Sequence, residues 1–224
     1  MIRHISFDLW LTLIKSHPEF KAERALFLQK EFNPRGFSVR EIMEIVQKTD
    51  KISDRLNEIT GKKVQTRQMY RRILQDLGND PLAINDELLN HINLKVCDLF
   101  REFPPEFLNA SVKPMLLSLK DEGYTINLSS NTGFIEGNTI AGTLKQLKIS
   151  EYFVFCIFSD EIEASKPSAA FFDKVYDKVT VRKEEVLHVG DNYKADFEGA
   201  QSYGFKALHI TNQNYTIDDI KRYL

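Results

Sequence analysis

Near the start of the chain an aspartate sits inside an apolar run: Ile2, Ile5 and Phe7 precede Asp8, and Leu9, Trp10, Leu11 and Leu13 follow it. So apolar a run reads as a strand buried on both faces in the middle of a parallel sheet. A carboxylate placed there carries a desolvation cost that a cation or a chemical role must offset. Asp8 is therefore the candidate nucleophile. Thr12, four residues on, has a hydroxyl that can hold the loop leaving the strand. An aspartate that merely caps a strand end would look the same in isolation, so the rest of the chain has to decide.

The 224 residues, 42% of them hydrophobic, suffice for one α/β domain and a smaller one, each with its own core. A net charge of -2 provides no field that would attract nucleic acid or an anionic membrane. Lys62 and Lys63 read as a surface pair. Cys97 and Cys156 fall in segments assigned to different domains, without Cys-x-x-Cys spacing or a histidine cluster, so both read as buried thiols rather than zinc ligands. With a first strand starting at residue 2 there is no room for a signal peptide, and no apolar stretch approaches the roughly 18 residues of a membrane span. A soluble, cytoplasmic protein is the expectation.

From about Glu19 to Phe103 only helical periodicity is present. Ile42, Ile45, Thr49, Ile52, Leu56 and Ile59 recur at three- and four-residue intervals behind a capping box at Ser38-Val39-Arg40-Glu41, which predicts one long amphipathic helix with this stripe packed. Met69, Ile73 and Leu77 mark another helix, ended by Gly78-Asn79-Asp80-Pro81, and Leu88, Ile92, Val96, Leu99 and Phe103 mark a further one. With Phe20 to Phe32 they predict a bundle of about four helices, too long to be a loop between two strands. Pro104-Pro105 reads as the return linker, after which strands and helices alternate: strands over 124–129, 153–158, 186–189 and 207–210, helices over 111–122, 133–148, 168–179 and 194–203, and a last short helix behind Thr216. The fold class is α/β, a doubly wound Rossmann-like parallel sheet with an inserted all-helical cap. Residues 1–15 and 104–224 form the core and 16–103 the cap. Ligands of such sheets bind beyond the carboxyl ends of the strands.

At those ends stand the polar residues that matter. Ser129-Ser130-Asn131-Thr132-Gly133 offers small donors running into a helix, suited to an anion and equally to a plain helix cap. Lys166 precedes Pro167, which opens a helix and fixes the lysine's position; a lone lysine in that place is ordinarily solvated. Val189-Gly190-Asp191, followed by Asp196, sets two acids across the crevice from Asp8, and the glycine permits a tight turn. Three such acids make an oxygen site suited to Mg²⁺.

In order and placement these elements resemble the haloacid dehalogenase superfamily of aspartate-nucleophile hydrolases, over the whole chain, with the helical insertion resembling its mobile helical cap. The resemblance implies that Asp8 is the nucleophile, that Ser130, with Asn131 and Thr12 at the same strand ends, binds the transferring group, and that Lys166 steadies charge. It implies that Asp191 and Asp196 support Mg²⁺ together with Asp8 and the backbone carbonyl of Trp10. Cap closure would exclude water and select a small-molecule substrate. One residue departs from the pattern: the family's phosphatases carry a second, proton-shuttling Asp two residues after the nucleophile, and here that residue is Trp10. Family dehalogenases have an aromatic residue there but lack the Gly-Asp acid pair, which Gly190-Asp191 retains. Phosphonate-cleaving members use a cap lysine instead. The expected function is Mg²⁺-dependent hydrolysis of a small phosphorylated metabolite through an aspartyl-phosphate, with 2-haloacid dehalogenation, or a binding or regulatory protein that turns nothing over, as the alternatives.

Overall fold

The computed structural model describes residues 1–211 and 214–224. The apolar N-terminal run forms β1 (His4–Phe7), followed by a tight turn and β2 (Ile14–Lys15). Helices α1 (Pro18–Phe32), α2 (Val39–Thr60), α3 (Thr66–Asp76) and α4 (Asp86–Glu102) come next, and β3 (Glu106–Phe107) closes the insertion by pairing antiparallel with β2. The chain continues through α5 (Val112–Asp121), β4 (Thr125–Ser130), α6 (Gly137–Gln146), β5 (Phe155–Phe158), α7 (Ser159–Ile162), α8 (Ala169–Tyr176) and β6 (Val186–Gly190). A π-helical turn (Tyr193–Glu198), α9 (Gly199–Tyr203), β7 (Lys206–His209) and α10 (Ile217–Lys221) complete it.

The larger sheet has the order β5-β4-β1-β6-β7 and is parallel throughout. After β1 the chain builds outward through β4 to β5, then crosses to the other side of β1 for β6 and β7. This reversal beside the central strand opens a crevice at the carboxyl ends, and Asp8 is the first residue past β1. Its N–H still donates to the Val189 carbonyl at 2.8 Å, so the acid is tethered to β6.

Several helix signals are where the sequence put them. Ser38 and Glu41 form a reciprocal capping box on α2, Gly78 takes the left-handed conformation after α3, and Thr216 caps α10. The packed stripe on α2 is different. Ile42, Val46, Thr49, Ser53 and Asn57 are buried, whereas Ile52, Leu56 and Ile59 are exposed. The inward polar residues are satisfied by backbone: Thr49 and Ser53 donate to the Ile45 and Thr49 carbonyls and Asn57 accepts from the Val64 N–H, while Asp50, Asp54 and Glu58 beside them border a cavity. Bundle and sheet also do not have separate cores: one apolar cluster runs from Phe7 and Leu9 through Phe20, Phe100 and Phe134 into Ile73 and Ile92, and a second, with Phe171, Phe172 and Val186, covers the other face of the sheet.

Candidate active site

Beyond β1 the backbone reverses sharply. Leu13 and Ile14 both donate to the Leu9 carbonyl, at 2.8 and 3.0 Å, and Leu11 adopts φ 57°, a conformation that costs a side-chain-bearing residue roughly 1 kcal/mol. Burial of Leu9 and Leu13 holds the turn closed. Asp8 is thereby aimed into the crevice, where Thr12 donates to its Oδ2 at 3.2 Å and Tyr215 donates to the Thr12 carbonyl at 2.8 Å.

Lys166 is 1% exposed, opposite to a solvated lysine. Its ammonium donates to Asp8 Oδ1 at 2.8 Å, to Asp196 Oδ1 at 2.6 Å and to the Ser129 carbonyl at 2.8 Å, which uses all three of its protons. Asn131 clamps the same residue from its backbone side, accepting from the Lys166 N–H at 2.9 Å and donating to its carbonyl at 3.0 Å. The N-cap of the helix that follows is Ser168 rather than Pro167.

Asp191 lines the cavity, and ligand oxygens of Asp8, Asp191 and Asp196 lie within 4.8 Å of one another. Gly190 is required for space: a Cβ there would run into the Asp196 carboxylate. Ser130 is fully buried behind Asn131 and donates at 3.4 Å to the Asn131 carbonyl, so it is not on the cavity wall. The helix after it begins only at Gly137, and its first N–H is held by Asp160 at 3.1 and 3.2 Å, so the Ser130-Asn131 segment is a loop and not a helix N-terminus.

The charges are unevenly offset. Burial pushes the Asp8 carboxyl up to about 7, with Lys166 opposing and Asp196 and Asp191 adding to the rise. Burial and Asp196 push Asp191 up to about 6. Burial works against charge on Asp196 as well, but the Lys166 ammonium and His188 hold its carboxyl well below the usual range. Burial also opposes the charge on Lys166, and the two carboxylates more than offset it.

Behind the acids runs a hydrogen-bonded chain that the sequence reading does not contain. Burial keeps His188 neutral, so it donates through Nε2 to Asp196 Oδ1 at 3.1 Å and accepts at Nδ1 from Ser6 at 3.0 Å. Ser6 in turn accepts from Ser129 at 2.9 Å, Ser129 from Asn127 Nδ2 at 2.8 Å, and Asn127 Oδ1 from His4 Nε2 at 2.8 Å. Each donor points toward Asp196. The signal was a polar residue at alternate positions of apolar strands, His4 and Ser6 in β1, Asn127 and Ser129 in β4, His188 in β6.

The insertion forms the opposite wall of a cavity of about 590 Å³, through Phe20, Lys21 and Arg24 of α1 and Asp50, Asp54 and Glu58 of α2. These last three recur every fourth residue, which places them on one helix face. Loss of water, with Asp50 and Glu58 nearby, raises Asp54 to about 7, even though its side chain reaches the open part of the cavity. Several contacts join the insertion to the floor, among them the Ser165 N–H donating to the Gly61 carbonyl at 2.9 Å. Glu58 accepts from Asn192 at 3.1 Å and faces Lys194 at 3.7 Å, while Thr66 donates to the Gly133 carbonyl at 3.2 Å. Lys63 is no surface residue: it is 6% exposed and donates to the Val64 carbonyl and, at 3.4 Å, to that of Gly133.

Comparison with known proteins agrees with this arrangement. The sequence profile of the haloacid dehalogenase-like hydrolases matches residues 2–204. The chain belongs to that family. It is 30% identical over 156 residues to a glyceraldehyde 3-phosphate phosphatase of Pyrococcus furiosus, which covers 68% of this chain and 59% of that protein. It is 24% identical over 219 residues to an (S)-2-haloacid dehalogenase of Pseudomonas, covering 98% and 88%. The matches to curated phosphatase relatives span less than two thirds of their length. Among solved structures, the magnesium-bound HAD hydrolase YfnB of Bacillus subtilis superposes with a TM-score of 0.72 at 18% identity, over 93% of this chain and 88% of that one. A HAD phosphatase of Thermococcus onnurineus gives 0.69 at 20% identity, over 99% and 97%. The fold shared with these hydrolases is a parallel α/β sheet with an inserted helical cap. No described helix is long and apolar enough to cross a membrane.

Proposed function

We propose that this hydrolase is a Mg²⁺-dependent phosphohydrolase working through an aspartyl-phosphate on Asp8, with a small phosphorylated metabolite as substrate. The observation that carries this reading is an excess of carboxylate over cation: three acids within 4.8 Å share one ammonium, that of Lys166. Burial raises two of them, Asp8 and Asp191, to about 7 and 6, and the neighbouring acids add to the rise. Mg²⁺ fits such a set of hard oxygen donors. Asp8, Asp191 and the Trp10 carbonyl, on which none of the backbone hydrogen bonds of the β1 turn ends, would hold it. Asp196 has three of its roughly four acceptor positions taken by Lys166, His188 and the Asn192 amide, so it supports the site chiefly through Lys166. The ion, when bound, supplies the charge that keeps the acids ionised and screens the phosphoryl oxygens.

The chain's own groups do the rest. An Asp8 oxygen bonds to phosphorus as the bond to the leaving oxygen breaks, and that oxygen departs with the electron pair. Lys166 stays an ammonium throughout and steadies charge on the nucleophile and phosphoryl group. Water then attacks the phosphorus, which frees inorganic phosphate and restores Asp8. Trp10, packed edge-on against Phe100 at 6.2 Å, carries no proton to give. General acid-base help is worth roughly 10² to 10⁴ in rate, so weakly basic leaving groups should be strongly preferred. With Mg²⁺, acetyl phosphate and aryl phosphates are expected to be cleaved at least roughly 10²-fold faster than alkyl phosphates, and Trp10→Asp to raise the alkyl rate. Equal rates on all three classes, together with no gain in Trp10→Asp, would remove this reading.

Dehalogenation is the second reading, favoured by Trp10 and by the likeness to the Pseudomonas dehalogenase. Asp8 would then attack carbon and expel halide. Halide release from a 2-haloacid in the presence of a chelator would select it. In either reading residues 16–103 act as a cap over the site, swinging about the β2–β3 ribbon.

A further inference from the structure

On the cavity floor the three protons of Lys166 all have acceptors, but on the cap-side wall a buried N–H has none. Arg24 reaches in from α1, its guanidinium over the rings of Phe20, 5.1 Å away, and Phe134, 4.8 Å away. Such faces attract a cation and restrict its plane, yet they accept no directed N–H bond in that plane. Nε of Arg24 is buried with no acceptor, and among the described residues Arg24 forms no hydrogen bond and no ion pair within 4.0 Å. Beside it the ring of Tyr70 rests against Phe134 at 5.4 Å; this tyrosine is 1% exposed, and its hydroxyl too is buried without a partner. Two buried donors without acceptors, the cationic one on the cavity wall and the Tyr70 hydroxyl behind it, cost free energy until an acceptor arrives. Asp50 is near enough for its charge to be felt by Arg24, but it does not come within ion-pair distance. The rest of the wall carries Lys21 on α1 and the acids Asp50, Asp54 and Glu58 along α2. Lys21 is exposed to solvent, whereas Arg24 keeps a buried N–H without an acceptor, so an anionic acceptor gains most at Arg24.

We propose that Arg24, backed by Tyr70, is the receptor for a carboxylate on the leaving group, so that the substrates of this hydrolase are monophosphates of carboxylic acids. A planar carboxylate matches the edge of a guanidinium that packs against aromatic rings. Phosphoryl groups belong at the other end of the cavity, beside Asp8 and Lys166, and the acidic row on α2 repels a chain of several phosphates. A volume of about 590 Å³ suits a molecule of metabolite size. The inference rests on the phosphohydrolase reading only for the identity of the group that Asp8 attacks; the carboxylate receptor stands on the cap residues alone.

Binding can be measured without turnover. Trp10 is the single tryptophan of the chain and lines the same cavity, so its fluorescence reports on occupancy. The wild type, with a chelator and no phosphate present, is titrated with benzoate and with its neutral counterpart benzamide. Benzoate is expected to bind at least about tenfold more tightly, the scale of a charge-assisted contact. Arg24→Met should erase that preference, Arg24→Lys should keep part of it, and Tyr70→Phe should weaken benzoate binding without lowering the melting temperature, because it deletes an unpaired buried hydroxyl. Should Arg24→Met fail to fold, Arg24→Lys and Tyr70→Phe decide alone. Equal binding of benzoate and benzamide by the wild type, or an unchanged preference in the folded variants, would overturn the proposal. Neither result touches the nucleophilic role of Asp8, which is tested by phosphoryl transfer. Where aryl phosphates are turned over, Arg24→Met should raise KM for 4-carboxyphenyl phosphate much more than for phenyl phosphate.

Discussion

Floor and wall of the same cavity are built on opposite electrostatic plans. On the sheet side Lys166 uses all its protons, Asp196 is held by three donors, and the hydrogen-bonded chain behind it reaches His4, while positive charge falls short of the three acids. On the cap side Arg24 and Tyr70 have unpaired donors, and Asp50, Asp54 and Glu58 crowd one helix face. A floor of that kind fixes atoms in place, which suits a reaction centre that must not reorganise. A wall with unmet valences is completed by what it binds. On the proposed reading, the difference separates chemistry, set at the strand ends, from selection, set by α1 and α2.

The comparison breaks most visibly at Lys166. Lys166→Met would leave two buried carboxylates facing each other, and breaking a buried pair in this way costs about 3–5 kcal/mol. The cost should show as a large drop in melting temperature at pH 8 and a smaller one at pH 5, where the acids can take up protons, and any phosphoryl-transfer activity should fall roughly 10²-fold or more. An unchanged melting temperature would mean that the floor is not the tight network described here.

The next effect concerns the metal. Asp8 and Asp191 have native pKa values of about 7 and 6, above the 3.8 of an unstructured aspartate. Between pH 4 and 7 the folded state therefore binds more protons than the unfolded one, and without metal these two groups make stability fall as pH rises through that window. Mg²⁺ needs them ionised. Its stabilising effect in thermal melts should thus grow from pH 5 to pH 8, and Asp191→Asn should abolish it. A shift independent of pH, or retained in Asp191→Asn, would place the ion elsewhere.

Ser6→Ala tests the chain behind the acids. It strips His188 Nδ1 and the Ser129 hydroxyl of a partner and should cost about 1–3 kcal/mol. The smallest effect is expected on the wall, where Asp54→Asn removes a repelled charge: a gain within about 1 kcal/mol at pH 8, reduced at pH 5, because this side chain keeps contact with solvent. A loss of stability there would show Asp54 to be paired.

The floor was largely legible in the sequence and the wall was not. Asp8 and Asp191 directly follow apolar strands, where a charge has a cost that periodicity exposes, whereas Lys166, before α8, and Asp196, in the π-helical turn, were legible only from their order along the chain. His188 and Ser6 sit inside the same strands, but neutral polar residues in a strand look tolerable until their partners on neighbouring strands are known. On α2 the strongest apolar periodicity, through Ile52, Leu56 and Ile59, points outward. A helix that lines a cavity need not bury its most apolar stripe, and nothing local announces the cavity. Burial of Lys63 against Gly133 depends on the docking of the cap, seventy residues away in sequence. Cap movement would disturb this contact, so a metal fluoride bound with Mg²⁺ should slow hydrogen exchange at residues 14–18 and 104–107.

Covalent chemistry at Asp8 is tested most directly by mass spectrometry of the protein quenched in acid after mixing with acetyl phosphate and Mg²⁺. Because Trp10 leaves water unassisted, an aspartyl-phosphate mechanism predicts that the adduct accumulates, that a phosphoryl increment is found on the peptide carrying Asp8, and that Asp8→Asn abolishes it. An unmodified peptide in the wild type, or an increment that persists in a folded Asp8→Asn protein, would contradict it.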